Sequence, residues 1–275
     1  MTTRFAPSPT GLLHLGHALA AGVAWQAAEE VGGQFLLRLE DIDFTRCRAE
    51  YEVAGREDLA WLGLRWAEPV WRQSERLGHY AAALEELRGL GVVYPCFCTR
   101  QEIAAAARAP QGEPGMVYPG TCRHLGAGER AERLGSGPGC AWRLDAAAAL
   151  ALTGPLRWED LAAGVQAVDM AGLGDVVLGR KDVSTSYHLA VTVDDAAQGV
   201  TLVTRGEDLF ESSAVHRLLQ ALLGLPVPQW KHHRLVCDDA GKRLAKRDAA
   251  RSLRSLREAG LEPGEVWRLL GPLRA

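Results

Sequence analysis

Residues 2–39 read TTRFAPSPTGLLHLGHALAAGVAWQAAEEVGGQFLLRL, and the order of patterns in this stretch decides the fold. Thr2 to Ala6 forms a short strand, closed by the turn residues Pro7-Ser8-Pro9-Thr10-Gly11. From about His14 to Val31 the apolar residues Leu15, Leu19, Val23 and Ala27 recur at helical spacing, and Gly32-Gly33 stops the helix. Gln34 to Leu39 is a second strand, ending on Glu40-Asp41.

Working outward, Arg56 to Leu64 and Glu75 to Leu90 read as helices before a third strand at Val92 to Tyr94. Strands that alternate with helices predict an α/β fold, a Rossmann-type doubly wound parallel sheet whose first half is residues 1–95. Residues 96–174 loosen into Gly-, Pro- and Ala-rich pieces with strands at Ala141 to Leu144 and Gly164 to Met170, the signature of an inserted domain. The second half of the core follows at 175–225, with strands at Tyr187 to Val193 and Gly199 to Arg205 and a helix from Ser212 to Leu223. Residues 226–275 read as a loop and a small helical C-terminal part, Ala249 to Ala259 and Glu265 to Leu270.

With 47% apolar residues in 275, the chain can bury one large core and still carry appendages. No apolar run approaches the ~18 residues of a bilayer span, and Met1 to Gly11 lacks a secretion signal, so a cytoplasmic address and no membrane partner are expected. Six cysteines in such a chain are thiols or metal ligands rather than a disulfide framework. Of these, Cys96, Cys98 and Cys122 cluster, whereas Cys47, Cys140 and Cys237 stand apart as ordinary cysteines. The net charge of -3 hides an asymmetry, because Lys231 to Ala275 holds eleven Lys and Arg against six Asp and Glu. A polyanion would dock at that basic end, although a solvated basic helix has the same composition.

Two pieces carry phosphate chemistry. His14-Leu15-Gly16-His17 sets two imidazoles on one side of a helix N-terminus, where Gly16 lets a ligand approach the backbone and the helix end attracts phosphate. In isolation the pair also fits two surface histidines. Its place after a strand and turn favours a ligand site, since open α/β sheets bind ligands beyond the carboxyl ends of their strands. Gly241-Lys242-Arg243-Leu244-Ala245-Lys246-Arg247 is a cationic loop from which Lys246 can neutralise a leaving pyrophosphate.

Together the two pieces resemble the paired signature motifs of class I aminoacyl-tRNA synthetases. The run Arg4-Phe5-Ala6-Pro7-Ser8-Pro9-Thr10-Gly11 is similar to the opening of the glutamyl branch. Arg38-Leu39-Glu40-Asp41, Tyr187-His188-Leu189-Ala190 and Arg205-Gly206-Glu207-Asp208-Leu209 match that branch in the same order. The chain ends about thirty residues past the second motif, and Val191 stands where full-length relatives usually carry Asn. In both respects it resembles the short paralogues, the glutamyl-queuosine tRNA(Asp) synthetases. Arg243 and Ala245 depart from the second motif's lysine and serine; Arg keeps the charge without the compact ammonium, which bears on ATP affinity.

The resemblance implies activation of L-glutamate by ATP with Mg2+, and transfer to queuosine in the tRNA(Asp) anticodon stem-loop by a monomer without an anticodon-binding domain. Catalysis falls to His14, His17 and Lys246, and ATP binding to His14, Gly16, His17, Arg243 and Lys246. The glutamate pocket is assigned to Arg4, Ala6, Ser8, Glu40, Tyr187 and Arg205: Arg4 and Arg205 as carboxylate forks, Glu40 and Ser8 for the ammonium group. Cys96, Cys98 and Cys122 offer three thiolates to a tetrahedral zinc, with Tyr118 or His124 as the fourth ligand on ligand chemistry alone. The short paralogues carry this Cys-x-Cys, Tyr and Cys arrangement as a zinc site, which implies one zinc per chain on Tyr118. Two other readings stay open: a truncated glutamyl-tRNA synthetase charging the 3′ end of tRNA(Glu), and an inactive zinc-containing tRNA-binding module.

Overall fold

The computed structural model describes residues 1–99, 101–103, 117–136, 139–183, 185–236 and 252–273. Strand β1, Thr2–Phe5, pairs in parallel with β2, Gln34–Leu39, in the register Thr2↔Gln34 to Phe5↔Leu37. A parallel pair needs a crossover, and helix α1, Leu15–Glu29, supplies it. Ala18, Ala21, Ala24 and Ala28 are wholly buried in α1, so the helix lies close on the sheet, and Thr3 Oγ1 donates to the Ala24 carbonyl at 2.7 Å. Helix α2, Ala49–Trp61, then crosses to β3, Ala67–Arg72, parallel to β2.

Helix α3, Leu77–Gly89, leads away to a second sheet. There β4, Val93–Cys96, pairs antiparallel with β5, Ala141–Leu144, which pairs antiparallel with β8, Val177–Gly179. Helices α4, Ala127–Ser136, and α5, Ala146–Thr153, flank β5 in the chain. The expected third strand therefore exists, but it belongs to this antiparallel sheet and not to the parallel one. Strand β6, Arg157–Asp160, pairs antiparallel with β7, Gly164–Ala167.

The chain then returns through α6, Tyr187–Ala197, to β9, Leu202–Gly206, α7, Ser212–Leu222, and β10, Gln229–His233. Strands β9 and β10 are parallel, and β10 also pairs in parallel with β6 at Trp230↔Asp160, giving the order β7-β6-β10-β9. β1 lies beside β9: Thr201 N–H donates to the Thr2 carbonyl at 3.0 Å, and Arg4 Nη1 to the Thr204 carbonyl at 3.0 Å. The strands thus step outward from β1 in one direction and from β9 in the other. The crevice between their carboxyl ends is the switch point where such sheets bind ligands.

Helices α8, Leu253–Glu258, and α9, Pro263–Leu270, pack back on α1 and α2, where Leu253, Val266 and Leu270 join Leu19, Leu37 and Leu59 in one core. A second core holds Tyr80, Leu84, Leu144, Leu178, Leu189 and Leu218. The expected strand at Tyr187 to Val193 is the helix α6. Leu189, Ala190, Val191 and Thr192 are all buried, so consecutive residues are covered as in a buried strand while the backbone is helical. Strand β10 lies where a loop was expected; Lys231-His232-His233 carries no apolar pattern, and partner contacts bury the histidines instead.

Candidate active site

The switch point opens into a cleft of about 500 Å³. Arg4, Ala6, His14, Gly16, His17, Glu40, Tyr187 and Arg205 all line it, so residues from β1, α1, β2, α6 and β9 converge. Ser8 does not join them; it lines a separate recess with Pro7, Pro9 and Tyr51.

His14 is the N-cap of α1. Gly16 N–H donates to His14 Nδ1 at 3.1 Å, His14 N–H donates to His17 Nδ1 at 3.2 Å, and the rings lie 4.0 Å apart. A Cβ on Gly16 would sit 3.0 Å from the His14 ring, so the glycine is what allows this ring to fold back over the helix end. Arg243, Ala245, Lys246 and Cys237 lie outside the described residues, but the chain on both sides of that segment is fixed at the cleft. Leu235 and Val236 line it, Ser252 bridges to His14, and Leu253 N–H donates to the Leu13 carbonyl at 2.8 Å.

The two arginines differ. Arg4 is held by a carboxylate: Nε and Nη2 donate to Asp195 at 2.9 and 3.2 Å. Arg38, fully buried, donates to the same Asp195 at 2.8 Å and to Gln198 at 2.8 Å, and Asp194 takes Arg76 and the Tyr80 hydroxyl at 2.7 Å each. Arg4 is thereby part of a buried ion network rather than a free fork. Arg205, equally buried, is surrounded by neutral groups: Tyr187 Oη at 3.4 Å, His216 Nδ1 at 3.1 Å, His232 Nε2 at 3.2 Å and Ser213 Oγ. Burial pulls its pKa down.

Glu40 lines the same cleft as this cation and, among the described residues, has one distant ion pair, with Arg38 at 3.9 Å. Burial pushes its carboxyl up to about 7, against the pull of Arg38 and Arg4. A desolvated carboxylate and an uncompensated guanidinium in one cleft suit a ligand bearing both an ammonium and a carboxylate.

Away from the cleft, the sulfurs of Cys96, Cys98 and Cys122 lie within 4.8 Å of one another. Tyr118 Oη sits 3.4 Å from Cys96 Sγ and 3.5 Å from Cys98 Sγ. A tetrahedral zinc with Zn–S bonds of ~2.3 Å sets its sulfurs roughly 3.8 Å apart, so this cage is of zinc dimensions. His124 is exposed and outside the cluster. Asp194, Asp195, Ser213, His216, His232 and Asp160 were not singled out by sequence reasoning. Asp194-Asp195 in a buried run was the one available signal.

A parallel sheet with two adjacent histidine rings at the first helix N-terminus, facing a cleft at the switch point, defines the nucleotide-binding core of a class I aminoacyl-tRNA synthetase. The family model of class I tRNA synthetases (E and Q), catalytic domain, matches residues 1–271. A glutamyl-Q tRNA(Asp) synthetase of Rhodobacter capsulatus is 51% identical over 98% of this chain and 100% of its own length, and one of Nocardia farcinica is 45% identical over 97% and 82%. The chain belongs to the glutamate and glutamine class I tRNA synthetases and, within them, to the glutamyl-Q tRNA(Asp) synthetase family. A solved glutamate-tRNA synthetase of Elizabethkingia anophelis superposes with a TM-score of 0.78 at 29% identity over 95% of this chain, which spans 54% of that synthetase. No helix among the described residues is long and apolar enough to cross a membrane.

Proposed function

We propose that this chain activates L-glutamate with ATP and transfers it to queuosine in the anticodon of tRNA(Asp). The observation that carries the amino-acid assignment is that Arg205, which has no carboxylate partner among the described residues, and the desolvated Glu40 line the same cleft. Arg205 and Tyr187 take the side-chain carboxylate, and Glu40 takes the ammonium group. Arg4 shapes the pocket through Asp195. The α-carboxylate attacks the α-phosphorus of ATP: its oxygen–phosphorus bond forms as the bond to pyrophosphate breaks. His14, His17 and Lys246 stabilise the charge that develops, with Gly16 and Arg243 on the nucleotide, so catalysis is positioning and electrostatics. Mg2+ neutralises the pyrophosphate when bound. A queuosine hydroxyl then attacks the mixed anhydride and releases AMP.

The names of the relatives support the acceptor, and the cage dimensions support one structural zinc on Cys96, Cys98, Tyr118 and Cys122. We read the core as residues 1–95 and 175–225, with 96–174 as an insertion whose β6 and β7 extend the core sheet, and 226–275 as the second signature loop and helices. The test is transfer of labelled glutamate. Label should appear on tRNA(Asp) from cells that make queuosine, resist periodate treatment of the 3′ end, and vanish from tRNA lacking queuosine. Label on the 3′ end of tRNA(Glu) would establish a truncated glutamyl-tRNA synthetase instead.

A further inference from the structure

Among the described residues Arg205 donates to four acceptors, none of them anionic, and those acceptors are themselves locked. An arginine can only donate, so the ring nitrogens that face it, His216 Nδ1 and His232 Nε2, must carry lone pairs. The proton of His232 is then on Nδ1, where it donates to Asp160 Oδ2 at 2.7 Å. The proton of His216 is on Nε2, where it donates to His188 Nδ1 at 3.2 Å. Ser213 completes the set: its Oγ accepts from Arg205 and its hydroxyl points at His232 Nε2, 3.2 Å away. Every bond fixes one tautomer, and no ring can take a second proton without setting N–H against N–H. Burial and the Arg205 charge both hold His216 well below its ordinary value.

The buried carboxylates around the cleft are used elsewhere: Asp160 lies behind His232, Asp195 is bound to Arg4 and Arg38, and Glu40 has its ion pair with Arg38. Among the described residues no carboxylate forms an ion pair with Arg205. An ordinary buried arginine is neutralised, because the cost of an unpaired buried charge is several kcal/mol. Here the described surroundings supply hydrogen bonds but no ion pair, which leaves a direct countercharge to the ligand.

We propose that His216 and His232 are specificity-determining positioning residues, neutral acceptors that aim Arg205 at the cleft while keeping its charge uncompensated, so that the site takes a side-chain carboxylate and rejects the isosteric amide. The inference rests on the glutamate-activating reading. Glutamine fills the same volume but brings no charge, so its binding leaves the guanidinium buried and unpaired. The histidines do not touch substrate; they act through Arg205.

The test measures ATP–pyrophosphate exchange with glutamate and with glutamine on the full chain. His216→Glu and Ser213→Asp each place a carboxylate against Arg205 from a different side. Either should raise KM for glutamate by about 10- to 100-fold, change kcat less, and narrow the preference over glutamine. His216→Leu, which adds no charge and removes one acceptor, should also raise KM for glutamate, and His216→Gln should recover most of that loss. Structural damage alone would lower kcat and melting temperature without narrowing the preference. Folded carboxylate variants that keep the wild-type preference, or His216→Leu with wild-type KM, would overturn the proposal. Wild-type protein without any glutamate-dependent exchange would instead overturn the functional reading beneath it.

Discussion

Replacing Asp195 by alanine tests the ion network that ties β1 and β2 to α6. Its carboxylate accepts from Arg4 at 2.9 and 3.2 Å and from Arg38 at 2.8 Å, and so links β1, β2 and α6. Arg4 is 5% exposed and Arg38 not at all, so the substitution strands two guanidinium ions. Arg38 keeps its neutral bond to Gln198, and the carboxylates left near it are Asp194 at 3.8 Å and Glu40 at 3.9 Å, both too far to replace a direct ion pair. Breaking a buried pair in this way costs ~3–5 kcal/mol. For a chain of this size that lowers the melting temperature by about 6–20 °C. Urea denaturation at pH 7 measures the free energy directly.

The pH dependence gives a second reading of the same group. Burial opposes ionisation of Asp195, but Arg4 and Arg38 outweigh it and hold the carboxyl below its ordinary value of 3.8. A carboxyl lowered in the folded state binds its proton more readily when unfolded. It therefore contributes stability above pH 3.8, and that contribution is lost as pH falls through the lower folded value. The gap between wild type and Asp195→Ala should stay constant from neutral pH to the ordinary carboxylate range and close below it. A loss under ~1 kcal/mol, or a gap that does not close in acid, would refute the network as a charge-stabilised link.

Three further outcomes follow from the site. Glu40→Gln should abolish glutamate-dependent exchange and stabilise the ligand-free fold at pH 8: burial raises the carboxyl from 4.5 to about 7, so ionising it above pH 7 costs on the order of 3 kcal/mol at ~1.4 kcal/mol per unit, which denaturation at pH 8 and pH 5 would separate. Gly16→Ala brings a Cβ to 3.0 Å from the His14 ring; ATP–pyrophosphate exchange should fall by about 100-fold through misplacement, with a melting temperature near that of the wild type. Protein purified without chelator should contain about one zinc per chain, with Cys98→Ser losing it; Tyr118→Phe retaining the metal while His124→Ala loses it would reassign the fourth ligand.

The parts of this molecule legible in the sequence are those where local pattern and tertiary role agree. The β1–α1–β2 unit was readable because its strand, Pro-rich turn and helix each carry their own signal, and its chemistry sits at the junction between them. The cleft residues Arg4, Glu40, Tyr187 and Arg205 were readable only through resemblance, since each alone passes for a surface or core residue. What stayed hidden is what depends on partners distant in the chain. His232 is 72 residues from the Asp160 that fixes its tautomer, and Arg4 is 191 residues from the Asp195 that holds it. Arg4 and Arg205 look alike as sequence, two arginines near the carboxyl ends of strands. Only the fold shows that one is bound to a carboxylate while the other, among the described residues, meets only histidines, a tyrosine and a serine, and that difference is why we assign the ligand's side-chain carboxylate to Arg205.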